Sequence, residues 1–221
     1  MITVKGNGET IIKEYEVSSF LHLHLSVDGH TELYQGDEEK VVVETDNNLV
    51  DYIGVTNSGK TLFITPESGY RKIEYSNLTI KVYFRQLSKL HVCFDQGMLT
   101  CANPISLPGA LEAKLQASGS VNLLLDVPVF KAVIQQKGDV VLSGNCSEAD
   151  IKTQAEGNLF AREFIARKLN IKNLSQGNVE VSATETISIA QYGEGYVHYW
   201  GNARLVNVNQ RGNGIIKHIN T

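Results

Sequence analysis

Seven glycines, Gly97, Gly119, Gly138, Gly157, Gly177, Gly195 and Gly214, stand 22, 19, 19, 20, 18 and 19 residues apart. A period of this size marks a solenoid, in which each coil is stabilised by the coils before and after it. The columns around the glycines agree. Two residues after them stand Leu99, Val121, Val140, Leu159, Val179, Val197 and Ile216; four after stand Cys101, Leu123, Leu142, Ala161, Val181 and Tyr199. Six before stand Ala113, Ala132, Ile151, Ile171, Ile189 and Val208; eight before stand Leu111, Phe130, Ala149, Leu169, Ile187 and Val206. The intervening column is polar: Glu112, Lys131, Asp150, Asn170, Ser188 and Asn207.

This is period-two alternation held in register over six coils, so each coil carries short strands with one face in and one face out. Stacked coils pair in parallel about 4.8 Å apart. The predicted class is all-β: a parallel β-helix with coils of about 19 residues and no helix of note. Glycine suits the corners, where positive φ is often required. Gln116, Gln135 and Gln154, three before their glycines, should stack as an amide ladder, and Asn158 and Asn178 likewise.

Residues 1–88 also alternate. In "FLHLHLSV", Phe20, Leu21, Leu23, Leu25 and Val27 oppose His22, His24 and Ser26. "EEKVVVET", "GKTLFITP" and "NLTIKVYF" read as further strands. The glycine period is absent there. The chain therefore divides into a less regular N-terminal β region, 1–88, and a regular β-helix, 89–221. Irregular coils and a separate capping sheet both fit the first part.

Composition narrows the function. With 42% hydrophobic and 20% charged residues, a chain of 221 can bury a core. A net charge of −4 argues against a nucleic-acid or anionic-membrane partner. Cys93, Cys101 and Cys146 are odd in number and lack a CxxC spacing, which argues against a disulfide framework or a zinc ribbon. No run is long enough to span a membrane. No signal peptide is visible, so the expectation is a cytoplasmic protein or one whose export signal lies outside these residues.

The chain resembles the bacterial family described as putative auto-transporter adhesin, head GIN domain. The N-terminal half carries its run from "GNGETIIKEYEVSSF" to "VTNSGKTLFITP", with Gly6, Gly8, Phe20, Gln35–Gly36, Asn48–Leu49 and Leu62. The C-terminal half carries the repeated x-Gly-x-Val corners. Tyr199-Trp200-Gly201-Asn202 keeps the family's tyrosine and glycine but not its proline. Lys137, Glu156, Gln176 and Glu194 depart from the serine that the family prefers before a corner glycine. The resemblance spans nearly the whole chain. It implies a β-helical fold and an exported setting, periplasm or bacterial cell surface, and it brings no catalytic motif.

The residues themselves suggest three chemistries. Glu112 and Asp150 lie two coils apart, roughly 9.6 Å, inside the separation used by inverting glycosidases. Lys131 stands between them, and a Glu–Lys–Asp surface ladder is the simpler reading. His22 and His24 share a strand face, a spacing zinc sites sometimes use, but no third ligand is apparent. Neither a cofactor nor a metal is expected. Tyr196, His198 and Trp200 alternate outward on one strand, with Glu180 and Lys217 on adjacent coils. An exposed aromatic strip with polar flanks suits sugar or protein contact. The alternative for Trp200 is a cap under the last coil. The function expected is a non-catalytic exported module that binds a glycan or protein partner. The alternatives are a carbohydrate-active enzyme and a structural stalk or head domain.

Overall fold

The structure is a computed structural model that describes residues 2–67 and 71–220. In chain order its strands are β1 (Ile2–Lys5), β2 (Thr10–Glu16), β3 (His22–Leu25), β4 (Gly29–Gln35), β5 (Lys40–Asp46), β6 (Ile53–Ser58), β7 (Thr61–Pro66), β8 (Arg71–Glu74), β9 (Leu78–Phe84) and β10 (Lys89–Val92). They continue as β11 (Gly97–Cys101), β12 (Ile105–Ser106), β13 (Ala110–Leu115), β14 (Ser120–Gln136), β15 (Val140–Ala155), β16 (Leu159–Asn173), β17 (Val179–Gln191), β18 (Val197–Trp200), β19 (Arg204–Gln210) and β20 (Ile216–His218). One 3-10 turn, Val50–Tyr52, interrupts them. The fold is a β-solenoid of about 7 turns with coils of about 19 residues.

From β10 onward every pairing is parallel, and the columns read from the glycine period are the ones that stack. Ile151 pairs with Ile171 and Ile171 with Ile189. Val140, Leu159, Val179 and Val197 follow one another in the same way. All seven are at most 1% exposed. The long strands each serve two walls. In β14 the alternation slips by one at Pro128 and Val129: Val121 to Val127 are buried at odd positions, Phe130 to Ile134 at even ones. Pro128 has no N–H to give to a ladder, so the turn between walls falls there.

Residues 1–88 add two further coils and a cap. β3 lies between β7 and β10, and β4 lies between β9 and β11, all in parallel. The coil β3–β4 is therefore flanked by two coils that come later in sequence. Beyond β9 the direction reverses: β5 pairs antiparallel with β9, and β2 antiparallel with β5. Leu49 and Val50, at the 3-10 turn that follows β5, are buried there. The other end is open, with Leu205 39%, Val206 48%, Val208 45% and Ile215 65% exposed.

Two sequence expectations change. The register slips after Leu205, so Leu205 and not Val206 continues the inward column below Ile187. The corner glycines from Gly119 to Gly195 do not have positive φ; that conformation is found at Gly8, Gly29, Gly59, Gly144 and Gly201. The corners need glycine because the neighbouring coil's backbone leaves no room for a Cβ: one on Gly119 would lie 1.9 Å from the Gly97 carbonyl oxygen.

Candidate functional site

Strand β18 carries the aromatic strip. Val197 and Tyr199 point inward at 0% and 8% exposure, while Tyr196, His198 and Trp200 are half-buried on the outer face. His198 is paired with Glu180 of β17 on one side and Lys217 of β20 on the other. Four of the five residues singled out from the sequence thus lie on the stacked strands β17, β18 and β20, with Tyr196 immediately before β18. The Tyr196 and His198 rings stack at 3.9 Å, and His198 meets Trp200 edge-on at 6.3 Å. The Tyr196 hydroxyl donates to Glu180 Oε1 at 3.2 Å. Burial, and after it the Glu180 carboxylate, raises the Tyr196 phenol above its ordinary range.

The sequence reading missed Arg162. The register of β16 against β17 shifts between Ala161 and Ile165, which bulges Arg162 and Glu163 outward. The Arg162 guanidinium lies 5.0 Å from the Trp200 ring centroid. Ser182, paired with Trp200, donates its hydroxyl to the Arg162 carbonyl at 2.6 Å. A small side chain there leaves the Trp200 face free for the arginine. The only signal in the sequence was the longer step of 20 residues from Gly157 to Gly177. Trp200 lies on the outer face, against Arg162 and His198. Its neighbour Tyr199 points inward and stacks on His218 of β20 at 4.7 Å.

The acidic column lies on the other wall. Glu112 pairs with Lys131 and Lys131 with Asp150. They line a groove of about 580 Å³ with Lys114 and Lys152. Lys89 makes a 3.9 Å ion pair with Glu112, and Asn170 donates to Asp150 at 3.2 Å.

The histidines pair differently from their order in sequence. His22 meets Thr61 at 3.3 Å, whereas His24 Nδ1 lies 3.0 Å from His91 Nδ1. His91 Nε2 lies 3.1 Å from Gln116 Oε1. The expected amide ladder follows, Gln116 donating to Gln135 and Gln135 to Gln154. No group of three or more His, Cys, Asp or Glu side chains is arranged to hold an ion among the described residues. All three cysteines are unpaired.

A family model described as "Putative auto-transporter adhesin, head GIN domain" matches residues 19–203. No curated protein matches the chain. Among solved structures, a "putative adhesin" from Bacteroides fragilis NCTC 9343 superposes with a TM-score of 0.90 at 21% identity, covering 98% of this chain and 100% of that one. A "putative lipid binding protein" from Parabacteroides distasonis ATCC 8503 gives 0.70 at 19%, covering 99% and 100%. A "putative adhesin" from Parabacteroides merdae ATCC 43184 gives 0.68 at 17%, covering all of both chains. At these identities the likeness is one of fold.

Proposed function

The chain belongs to the family described as "Putative auto-transporter adhesin, head GIN domain", and from that membership we propose that it is an exported, non-catalytic binding module of the periplasm or bacterial cell surface. Its partner is a glycan or a protein, held on the outer face of β18. The observation that carries this reading is the strip Tyr196, His198 and Trp200, half-buried and bracketed by Arg162, Glu180 and Lys217. Flat rings offer apolar faces to a sugar ring or to an apolar side chain. The surrounding charges and amides supply hydrogen bonds that orient it. Anchoring aromatics usually carry most of the energy in such contacts.

Binding of the protein to an immobilised oligosaccharide panel, and to membrane-protein extracts as a second arm, tests the reading. Trp200→Ala and Tyr196→Ala should weaken each bound interaction by about tenfold or more while the melting temperature falls by no more than about 4 °C. Unchanged binding in both variants would overturn the site.

The enzyme alternative rests on the groove over Glu112, Lys131 and Asp150. Lys131 stands between the two acids in the column, the arrangement of a surface ladder of alternating charge. Glycan hydrolysis or lysis that disappears in Glu112→Gln would restore that alternative. A lipid partner finds no room inside, since the core side chains fill the solenoid at near-zero exposure.

A further inference from the structure

The hydrogen-bond chain on the outer face from β3 to β15 has a direction. Gln116 gives its amide N–H to Gln135, so its Oε1 is turned toward His91. An amide oxygen only accepts, so His91 Nε2 carries the proton. Neutral His91 then has a bare lone pair on Nδ1, and that atom faces His24 Nδ1 at 3.0 Å. In the absence of an added cation, His24 Nδ1–H donates across the gap.

Two imidazole nitrogens facing one another on adjacent strands make a chelate. We propose that His24 and His91 bind a divalent transition-metal ion through their Nδ1 atoms, with Cu²⁺ preferred and the remaining positions open to water or an outside ligand. The ion replaces the shared proton but lies to one side of the line between the two nitrogens, and the displaced proton moves from Nδ1 to Nε2 of His24. The ion sheds two bound waters as the two nitrogens attach, and no oxidation state changes.

The spacing selects the ion. Metal–nitrogen bonds of about 2.0–2.1 Å across a gap of 3.0 Å give an angle near 95° at the metal. Tetragonal Cu²⁺ and Ni²⁺ offer neighbouring positions at a right angle, and tetrahedral Zn²⁺ does not. Affinity for nitrogen ligands also peaks at copper in the divalent series. The outer support already exists, because a ligating histidine needs its second N–H held, and Gln116 holds that of His91. The Phe63 ring, 5.4 Å from His24, packs against the other side of the pair. Lys114, paired with His91 on β13, opposes the ion and should keep the affinity modest.

The test uses the whole chain with Cys93→Ser, which removes the exposed thiol, titrated with Cu²⁺ against glycine as competitor. Electron paramagnetic resonance should find one ion with two imidazole nitrogens. Gln116→Leu should weaken binding about tenfold. His24→Gln and His91→Gln should each weaken it further and leave one nitrogen. His22→Gln should change nothing, and Lys114→Gln should tighten binding. A wild-type spectrum with fewer than two imidazole nitrogens would overturn the site. So would undiminished affinity in His24→Gln, or an equal loss in His22→Gln.

Discussion

A Cβ placed on Gly157 would lie 2.0 Å from the carbonyl oxygen of Gly138 on the preceding coil. The two corners stack backbone on backbone, and no side chain fits between them. Gly157→Ala should therefore force the coils apart and cost about 1–3 kcal/mol. Gly36 meets nothing within 4 Å and does not have positive φ. Gly36→Ala should fall within about 0.5 kcal/mol of wild type. Urea denaturation of the two variants checks the difference.

Inside the solenoid one column turns polar toward the open end. Thr153, Asn173 and Gln191 occupy the inward column of Leu115 and Ile134, and all three are buried. The Thr153 hydroxyl donates to Asn173 Oδ1 at 2.6 Å, and Ser175 N–H donates to the same oxygen at 2.9 Å. Thr153→Val removes one donor and leaves the oxygen paired, so it should cost about 1 kcal/mol or less. Asn173→Leu strands both donors and should cost about 2 kcal/mol or more. Equal losses in the two variants would contradict this account.

Adjacent aromatics on β18 should behave in opposite ways. Trp200→Ala removes an outward ring that meets Arg162 and His198; loss of the cation–π contact costs about 0.5–1 kcal/mol. Tyr199→Ala empties a buried position at the open end and should cost about 3 kcal/mol. Thermal unfolding separates them. A drop for Trp200→Ala as large as that for Tyr199→Ala would make Trp200 a structural cap.

Acid should loosen the N-terminal segment. Asp46 accepts from the Gly8 N–H and the Ser76 N–H, each at 2.8 Å. Burial alone would raise this carboxyl, but the backbone donors of Ser76 and Gly8 outweigh it and hold it below the ordinary value. A carboxyl so held adds stability above its unfolded value of about 3.9 and loses it as pH falls through the lower folded value. Amide exchange at Gly8 and Ser76 should accelerate below about pH 4 relative to β14. Asp46→Asn should remove most of that pH dependence.

The thiols should differ in reactivity. Cys93 is exposed, and Cys146 is buried with its Sγ 3.0 Å from the Glu148 carbonyl oxygen. Burial raises the thiols of both Cys101 and Cys146, which suppresses their reactive thiolates. A disulfide-exchange reagent should label Cys93 rapidly in the native protein and the other two only on unfolding. Rapid native labelling of Cys146 would show that its wall opens.

The regular coils were legible because two periods add along one chain. Alternation by two sets which face each side chain takes, and the step of about 19 sets which residue lies above it. Hence Glu180, His198 and Lys217 could be put on adjacent strands from the sequence, as could the ladder Gln116, Gln135 and Gln154. Such a register needs only nearest-neighbour stacking.

Tertiary structure decided what stacking does not encode. The coil β3–β4 lies between two coils that come later in sequence, because strand order is a matter of long-range pairing. That order brings His24 against His91, 67 residues away. The bulge after Ala161 lays Arg162 over Trp200, and the slip after Leu205 turns Val206 out to solvent. One added residue shifts a strand by half its side-chain period, so a small change in local length redirects a side chain that the pattern had assigned to another face. The determined part of this protein is the periodic wall, with the aromatic strip on it; the contact of Arg162 with Trp200 and the histidine pair arise where that wall departs from its period.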